Sequence, residues 1–239
     1  TFAQFGALFK PPYTIARAVA DKAVVPLLYE ARHVPQTVDQ GPIDSWFEKL
    51  THGLSGAQRA DLKRKYSSER QLNKAEQKVR MIAWDVSLHY TRGGYQGTGL
   101  KGQLVAPDKA SALLYKRCFG EFGLASVEIL MSGPNVQEGD DTDDRQATAE
   151  EKAFWRQMMD RYGSEERYNK QLINAFKKGD EPEIIIVVDK LLTGFDAPCN
   201  AVLYLARKLK AHTLLQAIAR VNRLFDGKDH GLILDYSGV

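Results

Sequence analysis

An apolar segment runs directly into a Thr-Gly loop at Ile184-Ile185-Ile186-Val187-Val188-Asp189-Lys190-Leu191-Leu192-Thr193-Gly194-Phe195-Asp196-Ala197-Pro198. Its consecutive β-branched residues predict a central strand that is buried on both faces of a parallel sheet. In open parallel sheets, ligands bind at the carboxyl ends of the strands. A plain strand-to-helix turn would also fit this pattern. With that alternative open, we expect the polar loop residues at the carboxyl edge: Asp189, Lys190, Thr193, Gly194 and Asp196.

Strand and helix patterns alternate around this segment. Further strands are predicted at 102–107, 126–131, 201–205 and 232–234, and helices at 109–122, 147–178 and 212–222. This alternation predicts an α/β fold, with a parallel sheet covered by helices on both faces. An acidic stretch at 137–144 is expected to be a mobile loop.

The first 100 residues do not show this strand–helix alternation. They suggest a short helix at 14–20, a strand at 24–34 in which Pro26 lies near the start or on a sheet edge, and two or three helices over 43–91. The glycine-rich run at 93–99 predicts a flexible hinge, because no Lys-Ser or Lys-Thr pair follows it to make a phosphate loop. The tryptophans are expected in the core, because Trp46, Trp84 and Trp155 lie among helically spaced apolar residues.

The composition limits which partners, metal sites and cellular locations the chain is expected to have. The chain has 239 residues, 44% hydrophobic residues and a net charge of +3, which is compatible with nucleic acid without requiring it. Cys118 and Cys199 have no metal or redox spacing, and the five histidines have no zinc spacing, so no metal site is predicted. No membrane span or signal peptide is visible, and the chain begins at Thr1 without Met. We expect a cytoplasmic fragment of a longer protein, with no membrane partner.

A helical segment one strand after the Thr-Gly loop carries Gln216, Arg220 and Arg223. The i, i+4, i+7 spacing places them on one helix face. Two guanidinium groups can hold a triphosphate through bidentate hydrogen bonds, and an arginine supplied across a domain interface stabilises charge on a transferring γ-phosphoryl group. On an arbitrary helix the pattern is more often a solvated basic face. Its position after the Thr-Gly loop favours a functional role.

Two of these strings resemble a known family of motors. Residues 193–196 and the pattern Gln216-x-x-x-Arg220-x-x-Arg223 resemble motifs V and VI of superfamily 2 helicases. The longer segments 191–198, 214–223 and 231–236, together with 25–32 and 101–107, resemble the motor (R) subunit of type I restriction–modification enzymes. The resemblance spans nearly the whole chain and is most specific over 191–223. Ala219 stands where many helicase families have glycine, which is a small-for-small change.

The resemblance implies an architecture and a set of partners. Residues 101–239 would be the second RecA-like motor domain, containing motifs IV, V and VI, and residues 1–100 an N-terminal strand and helical extension of that lobe. ATP and Mg²⁺ would bind mainly to the first RecA-like lobe of the same parent chain. Opening and closing of the two lobes would pull double-stranded DNA, and the methyltransferase and specificity subunits of the restriction complex would be further partners.

The resemblance also assigns roles to individual residues. Arg223 is implied to be an arginine finger, Arg220 a second triphosphate or interface contact, and Gln216 a residue that orients nucleotide or water. The nucleotide side of motif V comprises Thr193, Gly194 and Asp196. The Thr-Gly pair would couple the ATP cleft to the DNA path, and Asp196 would hold the motif in place. Contacts to DNA phosphates, which position the strand without reading sequence, would come from Val105, Ala106, Pro107 and Thr193.

Parts of a complete restriction motor are not found in this sequence. It has no phosphate loop and no Asp-Glu-x-His box, so this chain is expected to be inactive alone. The nearest match to a nuclease site, Asp61 with Glu76-Gln77-Lys78, has helical rather than strand spacing, and we reject it. Two alternatives stay open: a lobe of another superfamily 2 DNA or RNA helicase, and a docking module for partner subunits formed by the helices of 43–91 and 147–178.

Overall fold

The computed structural model describes residues 14–34, 55–56, 76–139, 147–192 and 196–238. The helices in these ranges are α1 (Ile15–Ala20), α2 (Glu76–Arg92), α3 (Lys109–Phe122), α4 (Ala149–Tyr162), α5 (Glu165–Lys178) and α6 (Ala211–Val221). The strands are β1 (Leu27–Ala31), β2 (Lys101–Val105), β3 (Val127–Leu130), β4 (Ile184–Val187), β5 (Asn200–Leu205) and β6 (Gly231–Asp235). The predicted α/β alternation is confirmed.

The six strands form one parallel sheet in the order β1-β6-β5-β2-β4-β3. Strands β2, β4, β5 and β6 are buried along their whole length, which confirms the burial that the apolar run of β4 predicts. From β2 to β3 the chain crosses the sheet toward its β3 edge, and from β5 to β6 it moves toward the β1 edge. Because crossovers between parallel strands are right-handed, α3 and α6 cover opposite faces.

Helix boundaries follow local capping. The Asp108 side chain accepts the Ser111 amide hydrogen bond at the start of α3, and Gly123, with φ 62°, ends that helix. The predicted helical segment 147–178 is two helices, because Gly163 ends α4 in a left-handed conformation and Ser164 caps α5. Left-handed backbone favours glycine, and a serine side chain satisfies a free amide of the first helical turn.

The described part of residues 1–100 lies on the same sheet. Strand β1 begins directly after Pro26 and occupies the edge of the sheet beside β6, which confirms the predicted strand with its proline near the start or on an edge. Helix α2 packs against α3. Residues 76–78 form its first turn, in agreement with the helical placement that argued against a nuclease site. The predictions for 1–13, for Trp46 and for Asp61 lie outside the described residues.

Trp84 is half exposed, so the prediction that it belongs to the core is wrong. The buried stripe of α2 runs through Val79, Ile82, Val86 and Tyr90, and position 84 falls off this helical spacing. Trp84 packs edge-to-face on Phe122 instead, beside a cavity of about 720 Å³. Trp155 does pack against the core, as predicted.

The glycine-rich loop at 93–99 is anchored to the domain. Tyr95 is buried and stacks on Tyr90, and the Gln96 side chain donates a hydrogen bond of 2.9 Å to the Leu124 carbonyl. Thr98 donates to the Tyr95 carbonyl at 2.6 Å. These contacts fix the connection between α2 and β2, where the sequence alone predicted a flexible hinge.

His89 makes the packing of α2 on β5 sensitive to pH. Its Nδ1 lies 3.0 Å from the Tyr204 hydroxyl, and burial, followed by the nearby Arg32 charge, lowers the pKa of His89. The unfolded chain therefore binds a proton more readily than the folded chain below about pH 6.5. We expect the free energy of unfolding to fall as pH drops below that value, and to fall less in His89→Gln. Urea unfolding of both proteins between pH 7.5 and 5 measures this difference, and identical pH dependence would contradict it.

Candidate nucleotide and DNA site

The predicted site residues lie along two chain segments that cross the sheet in the same direction. After β4, residues 188–192 leave the carboxyl edge, and residues 196–199 lead into the amino end of β5. Thr193, Gly194 and Phe195 lie outside the described residues. Helix α6 returns from the carboxyl end of β5 to the amino end of β6 and packs on both strands. The segment 188–199 and helix α6 therefore each connect the carboxyl end of one strand to the amino end of the next.

Arg223 and Asp196 meet near the amino ends of β5 and β6. Their Nη1 and Oδ1 atoms are 3.2 Å apart, and the two side chains are 44% and 58% exposed. Helix α6 ends at Val221, so the prediction that Arg223 shares a helix face with Gln216 is wrong. The expectation that Asp196 lies at the carboxyl edge is also wrong, because the loop has already crossed the sheet. The pairing of motif V with motif VI is nonetheless direct.

Gln216 and Arg220 lie one turn apart on α6, as their spacing predicts. Gln216 is exposed and Arg220 is half-buried. The Nε of Arg220 is buried, and no residue of the described chain accepts its hydrogen bond. A buried guanidinium donor without an acceptor costs free energy. Within the described residues, the Nε donor of Arg220 is therefore open to an acceptor such as an anion.

Close backbone packing fixes the end of α6, two residues before Arg223. A Cβ on Gly231 would overlap the Val221 carbonyl and crowd the Asn222 amide. The Val25 amide donates a 2.8 Å hydrogen bond to the Asn222 carbonyl, and the Gly231 amide donates one of the same length to Pro26. The segment that precedes β1 thus caps the helix immediately before Arg223.

Large, exposed apolar side chains lie next to Gln216 and Arg223 in the sequence. Leu215, directly before Gln216, is 67% exposed, and Leu224 and Phe225, directly after Arg223, are also exposed. Exposed apolar groups beside a positively charged group are typical of a surface that packs against another domain.

At the carboxyl edge, Arg207 makes a connection that we did not predict. It follows β5, is only 8% exposed, and donates from Nη2 to the Val188 carbonyl at 3.0 Å and to the Asp189 carboxylate. The other oxygen of Asp189 accepts the Gly139 amide at 2.6 Å. The rule that placed Asp189 at a functional edge could have identified Arg207, which has the equivalent position after the next strand.

The predicted DNA-contacting residues of motif IV are buried. Val105, Ala106 and Pro107 present no exposed side chain, and the Ala106 amide is used in a 2.8 Å hydrogen bond to Val187. The segment 133–139 lies over them, because Gly139, with φ 64°, packs against the Pro107 carbonyl. A DNA contact at these three residues stays a prediction, and it requires this covering segment to move.

Polar contacts hold the covering segment in place. The Lys109 ammonium donates to the carbonyls of Gly133, at 2.7 Å, and of Val136. The Glu138 carboxylate accepts the Ser132 amide at 2.8 Å, and burial raises the pKa of Glu138. The acidic residues 140–144, predicted to form a mobile loop, lie outside the described residues.

Family models match two parts of the chain. Residues 124–238 match the model described as type I restriction enzyme subunit R domain 3, and residues 1–60 match the model of the SWI2/SNF2 ATPase. The MjaIXP endonuclease subunit, named for a type I restriction enzyme of Methanocaldococcus jannaschii, is 28% identical over the whole chain. The type I restriction enzyme HindI endonuclease subunit of Haemophilus influenzae is 49% identical over 80 residues, covering 30% of this chain and 8% of the relative.

Solved structures share the fold. A fragment of an HsdR subunit of a type I restriction enzyme from Vibrio vulnificus aligns with a TM-score of 0.56 at 16% identity, covering 99% of this chain and 36% of that chain. A SWI2/SNF2 ATPase core from Sulfolobus solfataricus aligns with a TM-score of 0.51 at 12% identity, covering 88% of this chain and 40% of that chain.

The parallel sheet and the matching structures show that the chain has the α/β fold of a RecA-like lobe. Within that fold, residues 124–238 are similar to domain 3 of the R subunits of type I restriction enzymes. The chain spans 22% of the length of the Methanocaldococcus relative. None of the described helices combines the length and apolarity of a membrane span. The described residues also hold no cluster of three or more potential metal ligands.

Proposed function

We propose that this chain supplies the arginine side of an ATP site in a motor that translocates double-stranded DNA. The observation that carries the proposal is the exposed ion pair between Arg223 and Asp196, which joins motif VI to motif V. An exposed ion pair contributes only about 0–1 kcal/mol. Arg223 can therefore leave Asp196 at little cost when a more negatively charged group approaches.

The residues present fit a bound triphosphate. Arg220 has a buried Nε with no acceptor among the described residues, and Arg223 follows two residues after the end of α6 with its side chain 44% exposed. Bound ATP supplies the phosphoryl group whose transfer to water releases energy. Arg223 acts as the arginine finger, Arg220 binds a triphosphate oxygen, and Gln216 orients nucleotide or water. We propose that Thr193, Gly194 and Asp196 form the nucleotide side of motif V, in which Thr193 and Gly194 couple the ATP cleft to the DNA path and Asp196 holds the motif in place.

The first lobe of the parent chain is the proposed partner for the surface around Arg223. Leu215, Leu224 and Phe225 would be covered when the two lobes close, which excludes water and strengthens electrostatic interactions in the cleft. The first lobe would hold most of the ATP and Mg²⁺. In this proposal residues 101–239 form the motor lobe. Residues 1–100 extend it, and the Val25 contact to Asn222 links the extension to motif VI.

Double-stranded DNA is the proposed track, and the methyltransferase and specificity subunits are the proposed partners in the restriction complex. Val105, Ala106, Pro107 and Thr193 would meet DNA phosphates after the covering segment moves.

ATP hydrolysis by the parent R subunit, assembled with those subunits, tests this function. We expect hydrolysis and triplex displacement to depend on double-stranded DNA, with no stimulation by duplex RNA and no hydrolysis by the 239-residue chain alone. Stimulation by RNA would favour another superfamily 2 helicase. Hydrolysis by the isolated chain would contradict the proposed division of the site between two lobes.

A further inference from the structure

Two ion pairs join residues 188–199 to residues 207–223, one at each edge of the sheet. Arg223 and Asp196 form the pair near the amino ends of the strands, and both side chains are exposed. Arg207 and Asp189 form the pair at the carboxyl ends, where the Arg207 side chain is 10% exposed and the Asp189 side chain is 50% exposed. The two pairs therefore differ in how easily they break, although they connect the same two chain segments.

The pair between Arg207 and Asp189 reaches across a strand. In the sheet, β2 lies between β5 and β4. Arg207 extends from the end of β5 past the end of β2 to reach Val188 and Asp189 after β4. Asp189 also receives the Gly139 amide, and Gly139 packs on the Pro107 carbonyl at the end of β2. Arg207 therefore ties together the ends of three strands and the segment that covers motif IV.

The position of Arg207 in the chain matters as much as its contacts. It lies four residues before the start of α6, and Asp189 lies four residues before Thr193. The buried Arg207 guanidinium is held by the Val188 carbonyl as well as by Asp189. Within the described residues, the exposed Arg223 side chain has only the ion pair with Asp196. A buried guanidinium that loses its partners costs more than an exposed one. The carboxyl-edge pair is thus the firmer connection, and the Arg223 pair is the end that can open.

We propose that Arg207 is a positioning residue that couples the motif VI helix to motif V, so that movement of Arg223 on the nucleotide side is transmitted to the DNA side. This inference rests on the proposed function. Arg207 itself touches neither nucleotide nor DNA in the proposal, since its guanidinium is buried against Val188 and Asp189. Loss of Arg207 should therefore impair coupling more than nucleotide binding.

The test compares Arg207→Met and Arg207→Lys with wild type in the R subunit assembled with its partner subunits. The readouts are ATP affinity, DNA-stimulated ATP hydrolysis, and base pairs translocated per ATP. Because small misplacement of catalytic groups can cost about 10²-fold in rate, we expect Arg207→Met to lower DNA-stimulated hydrolysis about 10- to 100-fold. We expect ATP affinity to be retained and fewer base pairs to be translocated per ATP. Arg207→Lys, which keeps the charge but not the planar fork, should be intermediate.

Arg80→Met is the matched control, because it removes an arginine from an exposed ion pair with Glu121 at 2.5 Å. It should behave like wild type. A folded Arg207→Met variant with wild-type translocation per ATP would overturn the inference. If that variant does not fold, Arg207→Lys and Asp189→Asn decide by the same criterion. A wild-type complex without DNA-stimulated hydrolysis would instead refute the proposed function.

Discussion

Arg223→Ala in the full R subunit is expected to reduce DNA-stimulated ATP hydrolysis by about 10³-fold or more, while ATP binding stays within a few-fold of wild type. The reason is that an arginine finger stabilises charge that develops only in the transition state, and such residues are worth about 10³–10⁵ in rate. The ion pair with Asp196 is exposed, so its loss should leave the fold intact. Steady-state hydrolysis with saturating DNA and equilibrium nucleotide binding measure the two effects separately.

Two further variants sharpen this prediction. Arg223→Lys should not restore hydrolysis, because an ammonium group cannot reproduce the planar, bidentate guanidinium. Arg80→Ala removes another exposed, ion-paired arginine and should hydrolyse ATP normally. Hydrolysis by Arg223→Ala above about one tenth of the wild-type rate would contradict the assigned role, since finger residues are worth far more than tenfold.

Gly231→Ala is expected to have the second largest effect, although residue 231 carries no functional group. A Cβ at this position would overlap the backbone of Val221 and Asn222, which cannot move as a flexible side chain would. The end of α6 must shift, and Arg223 must shift with it. We expect the free energy of unfolding to fall by about 1–3 kcal/mol, as for other overpacked sites. DNA-stimulated hydrolysis should fall about 10²-fold, the cost of misplacing a catalytic group by roughly 1 Å.

Gly120→Ala provides the control for this substitution. Gly120 lies in α3, and a Cβ there would have no neighbour within 4 Å. Alanine should stabilise this exposed helical position by about 0.5–1 kcal/mol and leave hydrolysis unchanged. Thermal unfolding and DNA-stimulated ATPase assays of both variants give the comparison. Normal hydrolysis in a folded Gly231→Ala subunit would show that Arg223 does not depend on this packing.

Local patterns in the sequence were sufficient to predict most elements of the fold. The apolar runs that became β4 and β5, and the edge position of β1 beside Pro26, follow from burial and from the missing proline donor. Trp84 was expected in the core because it lies among helically spaced apolar residues, but the buried stripe of α2 passes through Ile82, Val86 and Tyr90 and leaves position 84 at its side. The arrangement of the strands was not predictable from local pattern, since it depends on crossovers over long stretches of chain.

The candidate site was likewise predictable from the sequence only in part. The residues of motif VI were identifiable, but the end of α6 at Val221 and the crossing of the loop to the amino edge changed where Arg223 and Asp196 lie. Arg207 was missed because its importance depends on reaching across β2 to Asp189. Spacing along the chain cannot reveal that β2 lies between β4 and β5 in the sheet.

The most direct test of the central claim is a structure of the full R subunit with DNA, ADP and aluminium fluoride, in which the fluoride stands in for the transferring γ-phosphoryl group. We predict that Arg223 leaves Asp196 and donates hydrogen bonds of about 2.7–3.1 Å to the fluoride across the closed cleft. If Arg223 stays on Asp196 while another arginine contacts the fluoride, this chain does not supply the arginine finger.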